Sequence, residues 1–583
     1  MPSRLRGKKT PCISASLPPW FKSCLRSSDF PERFIIRNFP DANAKSMNCY
    51  YKTSNIIFLS VIIFTCFTSF IQPDTTDRLR IAAEIENSVK NELLNKWYPQ
   101  CFDKQYGGFT STFTFDFKPT GKQDKMIVTQ ARHTWSNSRA AEIYPKVPYY
   151  KTGAKTGYDF LKNVMWDKAN GGFYTLVDRK GNVIPGGTSP KDAYGNAFAI
   201  YAMAAYYQST GDTGAITAAK QAFLWLEYNA HDSANNGYYQ HLSKEGKPLK
   251  RIKTTPSASD LGYKDQNSSI HILEAFTELY SVWPNNLLGQ RLEEMLFLIR
   301  DKMVDPKGYL HLFFKPNWTP VSFKDSSEAV ILKHSNLDHV SFGHDIETAY
   351  LMLEASHLLG KKNDTITLRV AKSMIDHALK NGWDDKAGGF YDEGYYFKNK
   401  TQITIIKNSK NWWAQAEGLN TLLLMSDLFP DDEQQYFNKF RLQWDYIKRY
   451  LIDHEHGDWY QGGLDKEPEQ KANLKGHIWK GNYHQLRAMV NCMERLRPDT
   501  VAPSVPGNLH AVAGKDNGYV LQWTASKDNK LLLGYNIYEN DKKTRFTPLG
   551  NYYIPAQKRS NVIYIKAVDF QGNESGASKT LTY

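Results

Sequence analysis

Asp167-Lys-Ala-Asn-Gly-Gly-Phe173 is followed, beyond a polar stretch, by Tyr194-Gly-Asn-Ala-Phe-Ala-Ile-Tyr-Ala-Met-Ala-Ala-Tyr-Tyr207. The first segment reads as a glycine turn. The second reads as a helix, its apolar residues recurring at three and four. The turn recurs as Asp103…Gly107-Gly108-Phe109, Asp232…Gly237-Tyr238, Asp305…Gly308-Tyr309, Asp385…Gly388-Gly389-Phe390 and Asp453…Gly457-Asp458-Trp459. The copies lie roughly 65 to 80 residues apart, in the range of stacked supersecondary units. Each period has room for two helices and one turn, and Trp412–Met425 repeats the helical pattern. Six hairpins over residues 75–498 predict an all-α (α/α)6 barrel with its cavity at the loop end. An open α-solenoid has the same periodicity, but six irregular periods without a polar capping repeat favour closure.

The pattern changes after residue 500. Pro503-Ser504-Val505-Pro506 is a stiff linker into short alternating segments, Gly518–Trp523, Gly534–Tyr538 and Val562–Asp569, separated by turns such as Gly572-Asn573-Glu574-Ser575. Period-two alternation at this spacing predicts a small all-β immunoglobulin-like sandwich over residues 503–583. The strings Leu-Gln-Trp, Gly-Tyr-Asn-Ile-Tyr, Ala-Val-Asp and Gly-Asn-Glu-Ser resemble fibronectin type III domains. Such a module acts as a spacer or adhesion unit, and no catalysis is assigned to it.

The net charge of +13 is unevenly placed. Residues 1–46 hold nine Lys/Arg against three Asp/Glu, and Lys52 brings the first 52 residues to +7, leaving +6 for the rest. That remainder is no nucleic-acid footprint, and no nucleic-acid partner is expected. Ile56–Ile71 is an apolar run too short for a membrane span of about twenty residues. With Met47 and Lys52 before it, residues 47–72 read as a signal peptide or, if uncleaved, an N-terminal anchor. Residues 1–46 then read as a mis-assigned or disordered extension, and the protein as exported, periplasmic or extracellular. Any membrane contact would be through that segment. Four of six cysteines precede residue 72, so Cys101 and Cys492 form no disulfide framework. The chain also holds 14 Trp, 35 Tyr and 30 Phe, which suits both core packing and stacking on sugar rings.

The chemistry concentrates on histidines at helix heads. His344 and Glu347 in Gly343-His-Asp-Ile-Glu347 share a helix face, as do His271 and Glu274. His484 follows Tyr483 in Trp479-Lys-Gly-Asn-Tyr-His484. Histidine exchanges protons near neutrality, so three of them point to proton transfer on an organic substrate. Each pair could instead be a self-satisfying buried contact. A metal held by the two His-x-x-Glu pairs is a further reading, disfavoured by the lack of a His-x-x-x-His or Cys cluster. Arg132, in Gln130-Ala-Arg-His-Thr-Trp-Ser-Asn-Ser138, could hold an oxyanion or sit in a structural salt bridge. Trp412-Trp413 could stack on sugars or pack the core.

Taken in order, Gln-Ala-Arg-x-x-Trp (130–135), Asn267-Ser-Ser-Ile-His271-Ile-Leu-Glu-Ala, Gly-His-Asp-Ile-Glu-Thr-Ala (343–349), Trp-Trp-Ala-Gln-Ala-Glu (412–417) and Trp-Lys-x-x-Tyr-His (479–484) resemble the N-acylglucosamine 2-epimerase superfamily, and most closely its cellobiose 2-epimerase branch. The resemblance implies the (α/α)6 barrel and a small-molecule sugar substrate, with no cofactor and no metal. It implies that His344 and His484 are the acid/base pair at the substrate C2, and that Arg132 stabilises the oxyanion. It further implies that Asn267 and His271 hold or support substrate, that Glu347 orients His344, and that Trp413 and Trp479, with Tyr194, contact the sugars. Asn137, where these epimerases usually have Phe, and Gly481-Asn482, where a proline is common, flank the site residues and bear on substrate identity.

The expected activity is C2 epimerisation at the reducing end of a β-1,4-linked disaccharide. Alternatives are an aldose–ketose isomerase or an N-acylglucosamine 2-epimerase on the same fold, and a non-catalytic exported carbohydrate-binding protein. An inverting glycoside hydrolase would need two opposed carboxylates, whereas these motifs centre on histidines.

Overall fold

The computed structural model describes residues 75–583, apart from residues 185–188, 362–363, 498, 515–517, 529–531, 548–549, 557–560, 570–571 and 583. The readings of residues 1–46 and 47–72 lie outside the described residues. Among those described, no helix is long and apolar enough to cross a membrane.

Among the described residues, twelve α-helices of 13 residues or more run from Thr75 to Leu496. They are α1 (Thr75–Asn87), α2 (Ile127–Ile143), α3 (Pro148–Phe160), α4 (Ala193–Thr210), α5 (Thr213–Asn229), α6 (Gln266–Val282), α7 (Asn286–Leu298), α8 (Phe342–Leu358), α9 (Thr365–Gly382), α10 (Trp412–Leu428), α11 (Tyr436–Tyr450) and α12 (Tyr483–Leu496). The even-numbered helices form an inner ring: each packs on the next, and α12 returns to α2. An outer helix covers each inner one, and α1 covers α12, so the first and last helices complete the sixth hairpin. The ring closes, as the six repeats imply.

Burial explains which helices go inside. In α4 every residue from Ala193 to Tyr206 is buried, because neighbours flank it on both sides and an outer helix backs it. In α11 burial is confined to a stripe of Tyr436, Phe440, Gln443, Trp444, Tyr446 and Ile447, leaving the opposite face to water. Several helix starts are fixed by side chains: Asp212 and Asn285 accept backbone N–H bonds from Gly214 and from Leu287 and Leu288.

The glycine turns lie between each outer helix and the next inner one. In the first, the Asp103 carboxylate accepts the N–H groups of Gln105 and Tyr106, and Gly107 and Gly108 take φ of +75° and +65°. A non-glycine residue at Gly108 would also bring its Cβ 2.5 Å from the Gln130 side chain. In four of the six copies the turn is then pinned by a lysine two residues ahead of the next inner helix. Lys125 Nζ lies 3.0 Å from Asp103 and 2.6 Å from the Gly107 carbonyl. Lys191 repeats this on Asp167 (2.8 Å) and Gly171 (2.6 Å), and Lys264 on Asp232 (2.8 Å) and Asn236 (2.9 Å). In the fifth copy Lys410 bonds Asp384 at 2.9 Å and the Gly388 carbonyl at 2.8 Å. The turn aspartate there is Asp384 and not Asp385, whose side chain is solvent-exposed. In the fourth copy Val340 stands where the lysine would be, and Asp305 faces His311 instead, at 3.4 Å.

The head of the inner helix grips the same turn. Gln130 and Gln415 each form a two-way bond with the backbone of the turn aromatic, Phe109 and Phe390, all at 2.8 Å. Asn196 and Asp345 accept the N–H of Phe173 and Leu310, at 2.9 and 2.8 Å. In the first, second and fifth copies lysine and amide together tie the start of the inner helix to the turn.

Among the described residues beyond the barrel, seven strands form two antiparallel sheets. β1 (Gly507–Ala513), β2 (Tyr519–Thr524) and β5 (Asn551–Ile554) make one sheet, in the order β1-β2-β5; the other is β4 (Lys542–Thr547), β3 (Leu532–Glu539), β6 (Val562–Asp569) and β7 (Leu581–Thr582). Leu521, Trp523 and Ile554 from the first sheet share a core with Tyr535, Ile537, Ile563, Ile565 and Ala567 from the second.

Candidate active site

The motif residues converge at the N-terminal ends of the inner helices. Tyr194 and Asn267 are second in α4 and α6, His344 is third in α8, and Trp413 and His484 are second in α10 and α12. Arg132 and His271 lie one turn deeper. Helix N-termini carry partial positive charge, so the cavity floor favours negative charge before any side chain is counted.

Arg132 is held without a counter-ion. One guanidinium nitrogen meets the Trp479 carbonyl at 3.3 Å and another the Tyr194 hydroxyl at 3.2 Å. Its plane lies over the rings of Phe198 and Tyr483, 4.6 and 5.1 Å from their centroids. Among the described residues no carboxylate lies within ion-pair distance, and Nε is buried without a hydrogen-bond partner. The salt-bridge reading of Arg132 therefore does not hold.

The three histidines are oriented differently. His271 Nδ1 lies 2.7 Å from Glu274 Oε2, so this His-x-x-Glu pair is real. His344 Nδ1 instead meets the Ser341 hydroxyl, at 2.8 Å. The expectation that Glu347 orients His344 is corrected: the Glu347 carboxylate turns to Arg487, 2.6 Å away. The carboxylate that orients a second histidine is Glu417, on α10, whose Oε1 lies 2.7 Å from His484 Nδ1. A carboxylate on Nδ1 leaves Nε2 as the nitrogen available for proton exchange. Trp413 lies between the two candidate acid/base histidines, its ring centre 4.7 Å from that of His344 and 6.0 Å from that of His484. Trp479 is at the rim, 47% exposed.

Burial governs the protonation states. It pulls His344 down to about 3, with His271 and His339 adding to the fall. His484 is likewise depressed, by burial first and then by Arg132, His271 and His344. Burial raises Glu347 to about 8 and Glu417 well above the carboxylate range, the latter helped by Glu347. Burial alone favours neutral forms; the Arg487 guanidinium, 2.6 and 2.7 Å from Glu347 and Glu417, opposes that for the carboxylates.

The metal reading takes a different form. Glu347, Glu417 and His484 bring ligand-type atoms within 4.8 Å of one another, whereas the two His-x-x-Glu pairs do not converge. The cation bridging Glu347 and Glu417 is the Arg487 guanidinium, at 2.6 and 2.7 Å.

The residues that depart from the epimerase pattern pack against other side chains of the barrel. Gly481 packs on the His133 ring, where an added Cβ would come within 3.0 Å. Asn482 accepts from the Tyr98 hydroxyl at 3.2 Å, and that hydroxyl lies 2.9 Å from His133 Nδ1. Asn137 faces Gly153 on α3. Glu417 and Arg487 are the residues sequence reasoning left without a role. Their only signal is position: Glu417 is four beyond Trp413, and Arg487 three beyond His484, each on its neighbour's helix face.

Residues 107–488 match the N-acylglucosamine 2-epimerase (GlcNAc 2-epimerase) family. A cellobiose 2-epimerase of Bacteroides fragilis is 28% identical over 425 residues, covering 71% of this chain and 98% of the relative. A D-mannose isomerase of Marinomonas mediterranea is 24% identical, over 69% and 94% of the two chains. The solved cellobiose 2-epimerase of Spirochaeta thermophila superposes with a TM-score of 0.60 at 27% identity, covering 72% of this chain and 98% of its own.

Proposed function

The chain belongs to the N-acylglucosamine 2-epimerase family, and from that premise we propose that it epimerises C2 of the reducing-end sugar of a β-1,4-linked disaccharide such as cellobiose or mannobiose. One imidazole of the His344–His484 pair removes the C2 proton from the ring-opened sugar. The resulting enediolate carries negative charge on oxygen, beside Arg132. The other imidazole returns a proton to the opposite face of C2, inverting it. The observation that supports this most is the Arg132 guanidinium, buried with no carboxylate within ion-pair distance among the described residues. A buried cation with no carboxylate in direct contact suits a charge that exists only during turnover. Trp413 lies against both imidazoles, suiting it to stack on the sugar between them.

The assay is incubation of residues 73–583 with cellobiose and mannobiose in heavy water, resolving C2 epimers. Absence of epimer and of deuterium at C2 would sink the proposal. Aldose–ketose isomerisation is the second reading, supported by the D-mannose isomerase relative. It shares the enediolate but delivers the proton to C1, so ketose formed from a monosaccharide would favour it. Turnover of an N-acylglucosamine, or glycan binding without turnover, would point to the remaining alternatives. The sheet orders β1-β2-β5 and β4-β3-β6-β7 support assigning the C-terminal domain as fibronectin type III-like; its spacer role and export of the enzyme are proposed from the sequence.

A further inference from the structure

Three buried carboxylates meet on one side chain. Arg487 NH1 donates to Glu274 and, at 2.8 Å, to the Tyr483 hydroxyl. Its NH2 lies 2.6 Å from Glu347 Oε1 and 2.7 Å from Glu417 Oε1. None of the four residues is more than 5% exposed. Two of those carboxylates hold a histidine by Nδ1: Glu274 holds His271, and Glu417 holds His484. One guanidinium thus ties together the supports of two imidazoles that stand on different helices.

We propose that Arg487 is a positioning residue that locks these supports into one unit and, with Arg132, sets the charge of the cluster so that it retains a single proton on the Glu417–His484 pair. The inference deepens the epimerase reading and rests on it. Three carboxylates against two guanidiniums, none more than 5% exposed, leave one negative charge. One proton neutralises it, and a second would leave a buried excess charge. Inverting C2 takes an acid and a base together, so one proton shared near two imidazoles is the state that turnover needs.

The groups facing His484 come from every helix around it. Glu417 is on α10, Glu347 and His344 on α8, and Glu274 and His271 on α6. Arg132 is on α2, Tyr194 on α4, and Tyr483 and Arg487 on its own helix. Helix α1 packs on α12, with Arg78 on the Arg495 carbonyl and Glu86 paired with Arg497 just past its end. Changing the charge of one member should therefore move the shared proton in a predictable direction.

The test is a histidine 15N NMR titration of the full chain, which needs no turnover. Arg487→Met removes positive charge and should raise the His484 midpoint by about one pH unit or more. Glu347→Gln removes negative charge and should lower it. The double variant should return it towards wild type. A side chain that only packs the core would not give shifts of opposite sign that cancel. Shifts of the same sign, or none, would overturn the inference. If Arg487→Met does not fold, Glu347→Gln, which is isosteric, carries the test alone: a midpoint that stays put or rises defeats the idea. Kinetics separate this from the functional reading. Arg487→Lys keeps the charge but loses the fork, and should lower kcat at least about tenfold with KM little changed. Wild type that turns over no sugar refutes the epimerase reading; an active wild type with unmoved His484 midpoints refutes only the role of Arg487.

Discussion

His484 Nδ1 and Glu417 Oε1 lie 2.7 Å apart, one at the head of α12 and the other in the second turn of α10. The contact fixes the tautomer of His484 and leaves Nε2 for proton exchange. Glu417→Gln keeps the shape but not the charge. Turnover should fall about 10²- to 10⁴-fold, the range for a lost general acid–base partner. KM should move by much less, since Trp413 remains. Steady-state kinetics on cellobiose checks this; a kcat within threefold of wild type would deny Glu417 the role.

His344→Asn and His484→Asn should each reduce turnover by about 10² or more, because each proton transfer loses its catalyst. The variant that keeps the abstracting base for a given epimer should still wash the C2 hydrogen into heavy water without inverting it. Which variant does so should swap when the other epimer is supplied. Near-normal turnover in both would mean that the histidines serve another purpose.

Arg132→Lys should lower kcat about 10²- to 10³-fold, the cost of removing one oxyanion donor. A lysine keeps the charge but cannot reach the Trp479 carbonyl and the Tyr194 hydroxyl together. A change confined to KM would make Arg132 a binding residue instead.

Lys191→Met leaves Asp167 buried without its cation, the two side chains being 0% and 4% exposed. The loss should be about 3–5 kcal/mol in urea unfolding, as for other broken buried pairs. Lys155→Met, which breaks a surface pair with Asp159, should cost under about 1 kcal/mol. Equal effects would contradict the anchoring role of Lys191.

Acid should unfold the barrel through the same turns. Burial alone would raise Asp103, but the Arg179 hydrogen bond and then Lys125 hold it at about 2. Asp167, Asp232 and Asp384 are lowered too, with their lysines among the causes. A carboxyl depressed on folding stabilises above its unfolded value, about 3.9, and that contribution is lost as pH falls through the folded one. Stability should drop steeply between about pH 4 and 2. Asp103→Asn should flatten the drop; an unchanged acid limb would place the sensitivity elsewhere.

The six hairpins were legible in the sequence because glycine and aspartate are forced at each turn by backbone geometry. The lysines were not, because their distance from the aspartate varies with the loop between, as Lys125 and Lys264 show. The turn aspartate of the fifth copy was misread because Asp384 and Asp385 are adjacent and only the structure shows which one faces Lys410. The site histidines and Arg132 stood out as polar residues at apolar helix heads. Spacing misled at Glu347: sharing a helix face with His344 permits a contact, but Arg487 competes for the carboxylate. Glu417 was hidden because its partner lies 67 residues away on another helix.

The lysine clamps have one more effect. Each ties the base of a turn to the start of the next inner helix, so the intervening loop can lengthen without moving what lies beneath. The loop from Asp232 to Lys264 has done so, folding a span around Arg251, which donates to the carbonyls of Pro256 and Ser259. That span reaches the neighbouring loop through Ser257 and His334, 3.0 Å apart. The barrel is in this sense evolvable: its rim can be rewritten to admit new sugars while the proton-transfer groups below stay in register.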